Sequence, residues 1–152
     1  MTVFYDILDK LEELFKAEED INTVTTGSLS DIANTKRTMY SLAHILVNNV
    51  TMSGSQLNLN ITTLLMDVVD INKESVDEIL KGNDNEHDVL NTLLAAGVRV
   101  MNIFKRGSVL EEGYELLGDP LFEPFVERFE DRVAGWSITF TVMMPNDMTI
   151  CD

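Results

Sequence analysis

The sequence predicts an α+β domain of two layers, with two long helices packed on a roughly four-stranded, mainly antiparallel sheet that contains a long hairpin. Three observations predict it. Two segments, one near the N-terminus and one opening at Asn85, repeat apolar side chains at spacings of three and four, the mark of amphipathic helices. Between them the stretch Thr38–Met66 runs for 29 residues without Asp, Glu, Lys or Arg, although the chain carries a net charge of −15. On it Leu57, Leu59 and Ile61 alternate with Asn58, Asn60 and Thr62, the period of a strand with one apolar and one polar face. A second alternating run, Trp136, Ile138, Phe140 and Val142 against Ser137, Thr139, Thr141 and Met143, lies near the C-terminus.

The first helix carries Phe4, Ile7, Leu8, Leu11, Leu14 and Phe15 as its stripe. Thr2 is placed to cap it, because a hydroxyl there can accept from an unpaired first-turn amide. Glu12 stands one turn before Lys16, a favourable pair. Glu18-Glu19-Asp20 falls at the negative end of the helix dipole, so fraying is expected there. Ile21–Thr26 is short and β-branched and reads as an edge strand closed by Gly27. Ser28–Arg37 reads as a polar loop. The hairpin follows as Tyr40–Val50 and Gln56–Val69, joined around Thr51-Met52-Ser53-Gly54. Asp70–Asn83 is acidic and reads as a mobile connection with room for a short helix.

Asn85 and the acids after it suit the start of the second helix, and Lys105-Arg106 with Gly107 suit its end. Its expected stripe is Val89, Leu90, Leu93, Leu94, Gly97, Val98, Met101 and Phe104. Gly97 in mid-helix costs about 1 kcal/mol against alanine, which a close approach to the sheet or to the first helix would offset. Tyr114–Leu117 reads as a short strand. Leu121–Phe129, which contains Pro124, reads as irregular or as an edge piece. Arg132–Met144 is the last strand, stopped by Pro145 and followed by an extended tail, 146–152. The expected core is Leu8, Leu11, Leu94, Val98, Met101, Trp136, Ile138 and Phe140.

A chain of 152 residues is most simply one domain. A chain this long buries about 68–70% of its unfolded surface. No stretch approaches the length of a membrane-spanning helix, and the N-terminus lacks the basic and apolar regions of an export signal. The single cysteine, Cys151, cannot close an internal disulfide, which fits a reducing compartment. The acids concentrate in residues 1–20, 67–90 and 111–131, which together carry −18 while the rest of the chain carries +3. Such a surface repels phosphate and argues against specific nucleic-acid binding, although repulsion itself is useful where DNA must pass without sticking.

The sequence holds no phosphate-cradling G-x-x-x-x-G-K-S/T or G-x-G-x-x-G, no C-x-x-C and no H-E-x-x-H. His44 falls in mid-strand with no sequence partner to complete a dyad, and reads as a buried or interface histidine. Asp84-Asn85-Glu86-His87-Asp88 lacks the turn glycine and closing Glu of a calcium loop, and helix capping explains it. No catalytic, cofactor-binding or metal-binding residue is therefore expected.

Three passages carry a resemblance: Tyr40-Ser41-Leu42-Ala43-His44-Ile45, then Asp84-Asn85-Glu86-His87-Asp88-Val89-Leu90-Asn91, then Gly135-Trp136-Ser137-Ile138-Thr139-Phe140 with Pro145-Asn146-Asp147. In this order the chain, over roughly residues 1–150, resembles small neck and tail-completion proteins of tailed bacteriophages, especially virion proteins of crAss-like phages of gut Bacteroidetes. The resemblance implies a tail-terminator-like domain that forms a ring of identical subunits, six-fold or twelve-fold, in the head-to-tail connector. It further implies contact with adjacent portal, neck or tail ring proteins. DNA would pass without sequence-specific binding, no membrane would be involved, and the protein, made in the host cytoplasm, would reside in the virion neck or tail. The family supplies no catalytic residue.

A long uncharged polar face suggests a covering partner, since exposed strands normally carry charge against edge pairing. The expected subunit contacts are His44, Leu46 and Asn48 on the first hairpin strand, Met52 at the hairpin tip, and Asn58, Asn60, Leu64 and Met66 on the second strand. Met148 and Ile150 in the tail complete the set. The alternative role is a cytosolic adaptor or small binding module that uses the same uncharged hairpin as its interaction surface.

Overall fold

The computed structural model describes residues 3–27, 40–69, 86–106, 113–128 and 132–145. The element order is α1 (Val3–Lys16), β1 (Thr23–Thr26), β2 (Leu42–Ser53), β3 (Gln56–Val68), α2 (Glu86–Arg106), β4 (Glu115–Arg128) and β5 (Arg132–Pro145). Two helices pack on a mixed sheet of five strands in the order β1-β2-β3-β5-β4. β1 pairs parallel to β2, and the other three pairings are antiparallel.

The expected four strands become five because the two pieces near Tyr114 and Leu121 form one 14-residue strand, β4. Its pairing with β5 breaks between Leu117 and Leu121, so Gly118, Asp119 and Pro120 bulge out. A strand with β5 on one side only can tolerate Pro120 and Pro124, because an edge needs no outward donor. The hairpin turn lies one step later than expected, at Gly54-Ser55. There Gly54 has φ +62° and Ser53 pairs with Gln56, so a two-residue loop carries glycine first.

Register and packing sort the two faces of the sheet. Ala43, Ile45, Leu59, Ile61, Leu65, Ala134, Ile138, Phe140, Val142 and Met144 meet the helices in one core. From α1 come Ile7, Leu11 and Phe15, all fully buried, and from α2 come Val89, Leu93, Val100, Met101 and Phe104. Burying each large apolar side chain contributes about 1.5–3 kcal/mol. The stripes depart from expectation at Phe4 and Val98, which are exposed, and at Leu94, which is only partly buried, while Leu8 is partly buried and packs against the core. In α2 the innermost positions are instead Ala96 and Val100, which lie on the line from Leu93 to Phe104.

At Gly97 α2 lies tight against the side chains of the sheet. A Cβ there would stand 2.7 Å from Ile138 Cδ1 and 3.2 Å from Leu65 Cδ1 and Phe122 Cε1. The glycine costs helix propensity but lets the helix axis settle onto β3, β5 and β4, as expected from its place in the stripe.

Trp136 fixes the register between the layers. Its ring packs against the core, and Nε1 donates 2.7 Å to the carbonyl of Leu90 in the second turn of α2. Outside the core, Arg99 of α2 reaches Glu18 (Nε to Oε2, 2.9 Å) and Asp20 (Nη2 to Oδ2, 3.0 Å). α1 ends at Lys16, before the acidic run, and Glu18 and Asp20 of that run serve as partners for Arg99. The hydrogen bond that Arg99 donates to Glu18 is the largest cause raising the guanidinium pKa above its ordinary value. The pair is exposed enough to be worth little on its own.

The loop 28–39, the acidic connection 70–85, the caps Thr2, Asn85 and Gly107, and the tail with Met148 and Ile150 lie outside the described residues.

Candidate assembly face

Both described helices lie on the face of the sheet that carries the odd-numbered residues of β3, so the even-numbered residues form the opposite face, free of helix among the described residues. This face has two parts. At the end near the start of β2, Leu42 pairs with Met66, Met66 with Gly135, and Gly135 with Phe125, one row across four strands. Leu42 and Met66 are buried, with Tyr40, Leu64 and Phe125 packed against them.

The remainder is polar and uncharged. Asn48 Nδ2 donates to Asn60 Oδ1 at 2.8 Å and to Thr62 Oγ1 at 2.7 Å. Asn60 Nδ2 donates to Thr141 Oγ1 at 3.3 Å, and Thr62 Oγ1 shares a hydrogen with Thr139 Oγ1 at 3.4 Å. Amides and hydroxyls thus form a ladder across β2, β3 and β5. No Asp, Glu, Lys or Arg occurs in β2, in β3 before Asp67, or in β5 after Arg132. On the β4 side the face continues with Leu117 and Leu121, paired to Thr141 and Thr139 and exposed by 36% and 55%. Among the described side chains of this face, acids stand on that margin, at Glu115 and Glu123.

The expected contact residues divide accordingly. Leu46, Asn48, Asn58, Asn60 and Leu64 share the helix-free face and are at least partly accessible. His44 and Met66 lie on it too but are each only 1% exposed, so they support the face from within the subunit. His44 Nδ1 is 2.6 Å from Thr25 Oγ1 of β1, a side-chain partner on the neighbouring strand. Met52 falls on the other face. Pairing shifts between Val47 and Asn49, and beyond this bulge the parity of β2 reverses, so Met52 pairs with Leu57 on the helix-bearing side and is 72% exposed. Asn58 Oδ1 is shielded and has no hydrogen-bond partner among the described residues. Leaving such a group unpaired costs about 1–3 kcal/mol.

Sequence reasoning missed Thr139, Thr141, Leu117 and Leu121 as members of this face. The alternation of β5 held the signal for the threonines, but only the strand order places β5 beside β3.

Among the described residues no three His, Cys, Asp or Glu side chains stand close enough to share a metal ion. A cavity of about 200 Å³ is lined by Asp20, Asp67 and Asp88 with Val89, Thr92 and Leu93, and is open to solvent. No helix among the described residues is long and apolar enough to cross a membrane. No protein-family model matches the sequence, and no curated protein matches it closely enough to count as a relative.

Proposed function

We propose that this chain is a structural subunit that assembles through its helix-free face into a ring, in the manner of the head-to-tail connector proteins it resembles. One observation carries the reading: the ladder Asn48–Asn60–Thr62–Thr139–Thr141 is neutral in a molecule of net charge −15. Copies that share a large negative charge repel least where the meeting surfaces carry none, and among the described residues this face holds no charged side chain on β2, β3 or β5. Its amides and hydroxyls offer donors and acceptors to a neighbour without the desolvation cost of ions.

Lysines at Asn58 and Asn60 test the face. Both side chains are partly accessible, so the subunit is expected to keep its fold by circular dichroism. Assembly, read by sedimentation alone and with a portal complex, is expected to fail, because each lysine becomes an unpaired charge in the contact. Normal particles carrying both lysines rule the face out.

The acidic margins have a part in the same reading. Asp67, Glu86, Asp88, Glu115, Asp119 and Glu123 are described members of the two later acidic segments. Some of these carboxylates are expected to line the channel and keep the DNA backbone from adhering, over about one Debye length, ~8 Å at physiological salt. A map of the ring with a neutral or basic wall and the acids facing outward reduces the acidity to a solubility feature.

A further inference from the structure

We propose that residues 146–152 of one subunit add as an extra strand to the outer edge of β2 in its neighbour; this deepens the assembly reading and rests on it.

The two long edges of the sheet differ. β4, at one margin, carries Pro120, Pro124, a bulge and the acids Glu115, Asp119 and Glu123, devices that discourage strand addition. At the other margin β1 covers only Leu42–Ile45 of β2. From Leu46 to Ser53 the outer edge of β2 has no strand beside it among the described residues, and it carries no charge and no proline. Asn48–Ser53 are all exposed. Its backbone amides and carbonyls form a template for a peptide strand, the mode in which main-chain hydrogen bonds give affinity and alternate side chains give selectivity.

The occupant follows from where the described chain stops. β2 and β5 both run antiparallel to β3, so β5 runs parallel to β2. Pro145 pairs with Gln56 at the hairpin-turn end, and the chain leaves β5 heading past that turn. Reaching the outer edge of its own β2 requires the chain to reverse and cross β3 and β2, whereas a second subunit can present the same edge without that reversal. The departing sequence Asn146-Asp147-Met148-Thr149-Ile150-Cys151-Asp152 alternates like a strand, with Met148 and Ile150 on one side. On the helix-bearing side of the β2 edge stand Val50 and Met52, exposed by 48% and 72%, an apolar pair for Met148 and Ile150 to cover. The opposite parity then sets Cys151 on the side of Asn49 and Thr51, which pair with Asn60 and Asn58.

Cys151 is the probe. In separate variants, cysteine replaces Asn49, Val50, Thr51, Met52 and, as a control on the other edge, Leu121. Each is treated with diamide, which accepts the two electrons and two protons released as the disulfide forms. Asn49→Cys or Thr51→Cys is expected to link to Cys151 of another chain about tenfold or more faster than Leu121→Cys, since docked thiols meet at millimolar effective concentration. Cys151→Ser should abolish the link. A mixture of wild-type chains with chains carrying both Thr51→Cys and Cys151→Ser should yield the mixed covalent pair if Thr51→Cys is the reactive variant; Asn49→Cys replaces it if that is faster. Links within one chain, or links no faster than at Leu121→Cys while sedimentation shows assembled particles, overturn the proposal and leave the assembly reading standing. Mixed pairs that never build beyond small oligomers uphold the strand exchange and count against the ring. Unlinked monomers refute both.

Discussion

Trp136→Ala is expected to lower the free energy of unfolding by about 3–5 kcal/mol. The ring packs on the core from the centre of β5, between Leu65 of β3 and Pro124 of β4 in the register. Truncation removes that volume and also the donor that holds the Leu90 carbonyl at 2.7 Å. Trp136→Phe separates the two contributions: it keeps most of the packing and forfeits the hydrogen bond, for about 1 kcal/mol. Urea unfolding checks both. A loss under about 1 kcal/mol for Trp136→Ala would place Trp136 outside the core.

Gly135→Ala is expected to be as damaging, by about 3 kcal/mol or more, although it adds one methyl group. A Cβ at this position would lie 1.7 Å from the carbonyl oxygen of Leu65 and 2.8 Å from Met66 Cα. Both obstacles are backbone of the central strand, so neither can rotate aside as a side chain does. The bare position also leaves the row Leu42–Met66–Gly135–Phe125 open for Phe125 to pack toward Met66. Gly97→Ala is the useful contrast. Its nearest obstacle is the far end of Ile138, which can shift, and alanine returns about 1 kcal/mol of helix propensity. The loss at Gly97 should therefore be the smaller. Equal losses at the two glycines would contradict this reading of the β3–β5 contact.

Deleting residues 146–152 is expected to leave the urea midpoint of the subunit unchanged and to weaken assembly. Unchanged assembly would make the tail passive.

Much of this architecture was legible because it is periodic. The stripe of α1, the Gly97 approach, the edge strand near Thr23 and the alternation of β5 follow from spacing alone. What spacing could not supply is pairing. β4 looked like two fragments, because Pro120 and Pro124 discourage a strand and only β5 alongside shows that they sit on an edge. Val98 and Val100 are equally apolar, but positions two apart lie about 200° apart around a helix, and the face that α2 turns to the sheet buries Val100 and exposes Val98. The candidate face was visible as a gap in charge from Thr38 to Met66, but its β5 half needed the strand order. Met52, expected at the hairpin tip, lies within β2, and its side was not legible for a local reason: one extra residue at the Val47–Asn49 bulge reverses every side chain after it.

The role of the neutral face is tested most directly by an electron-microscopy reconstruction of the assembled particle. The expected result is a closed ring in which Leu46, Asn48, Asn58, Asn60 and Thr139 are covered by the adjacent subunit. A chain that stays monomeric both alone and with a portal complex, or a ring that leaves those side chains facing solvent, contradicts it.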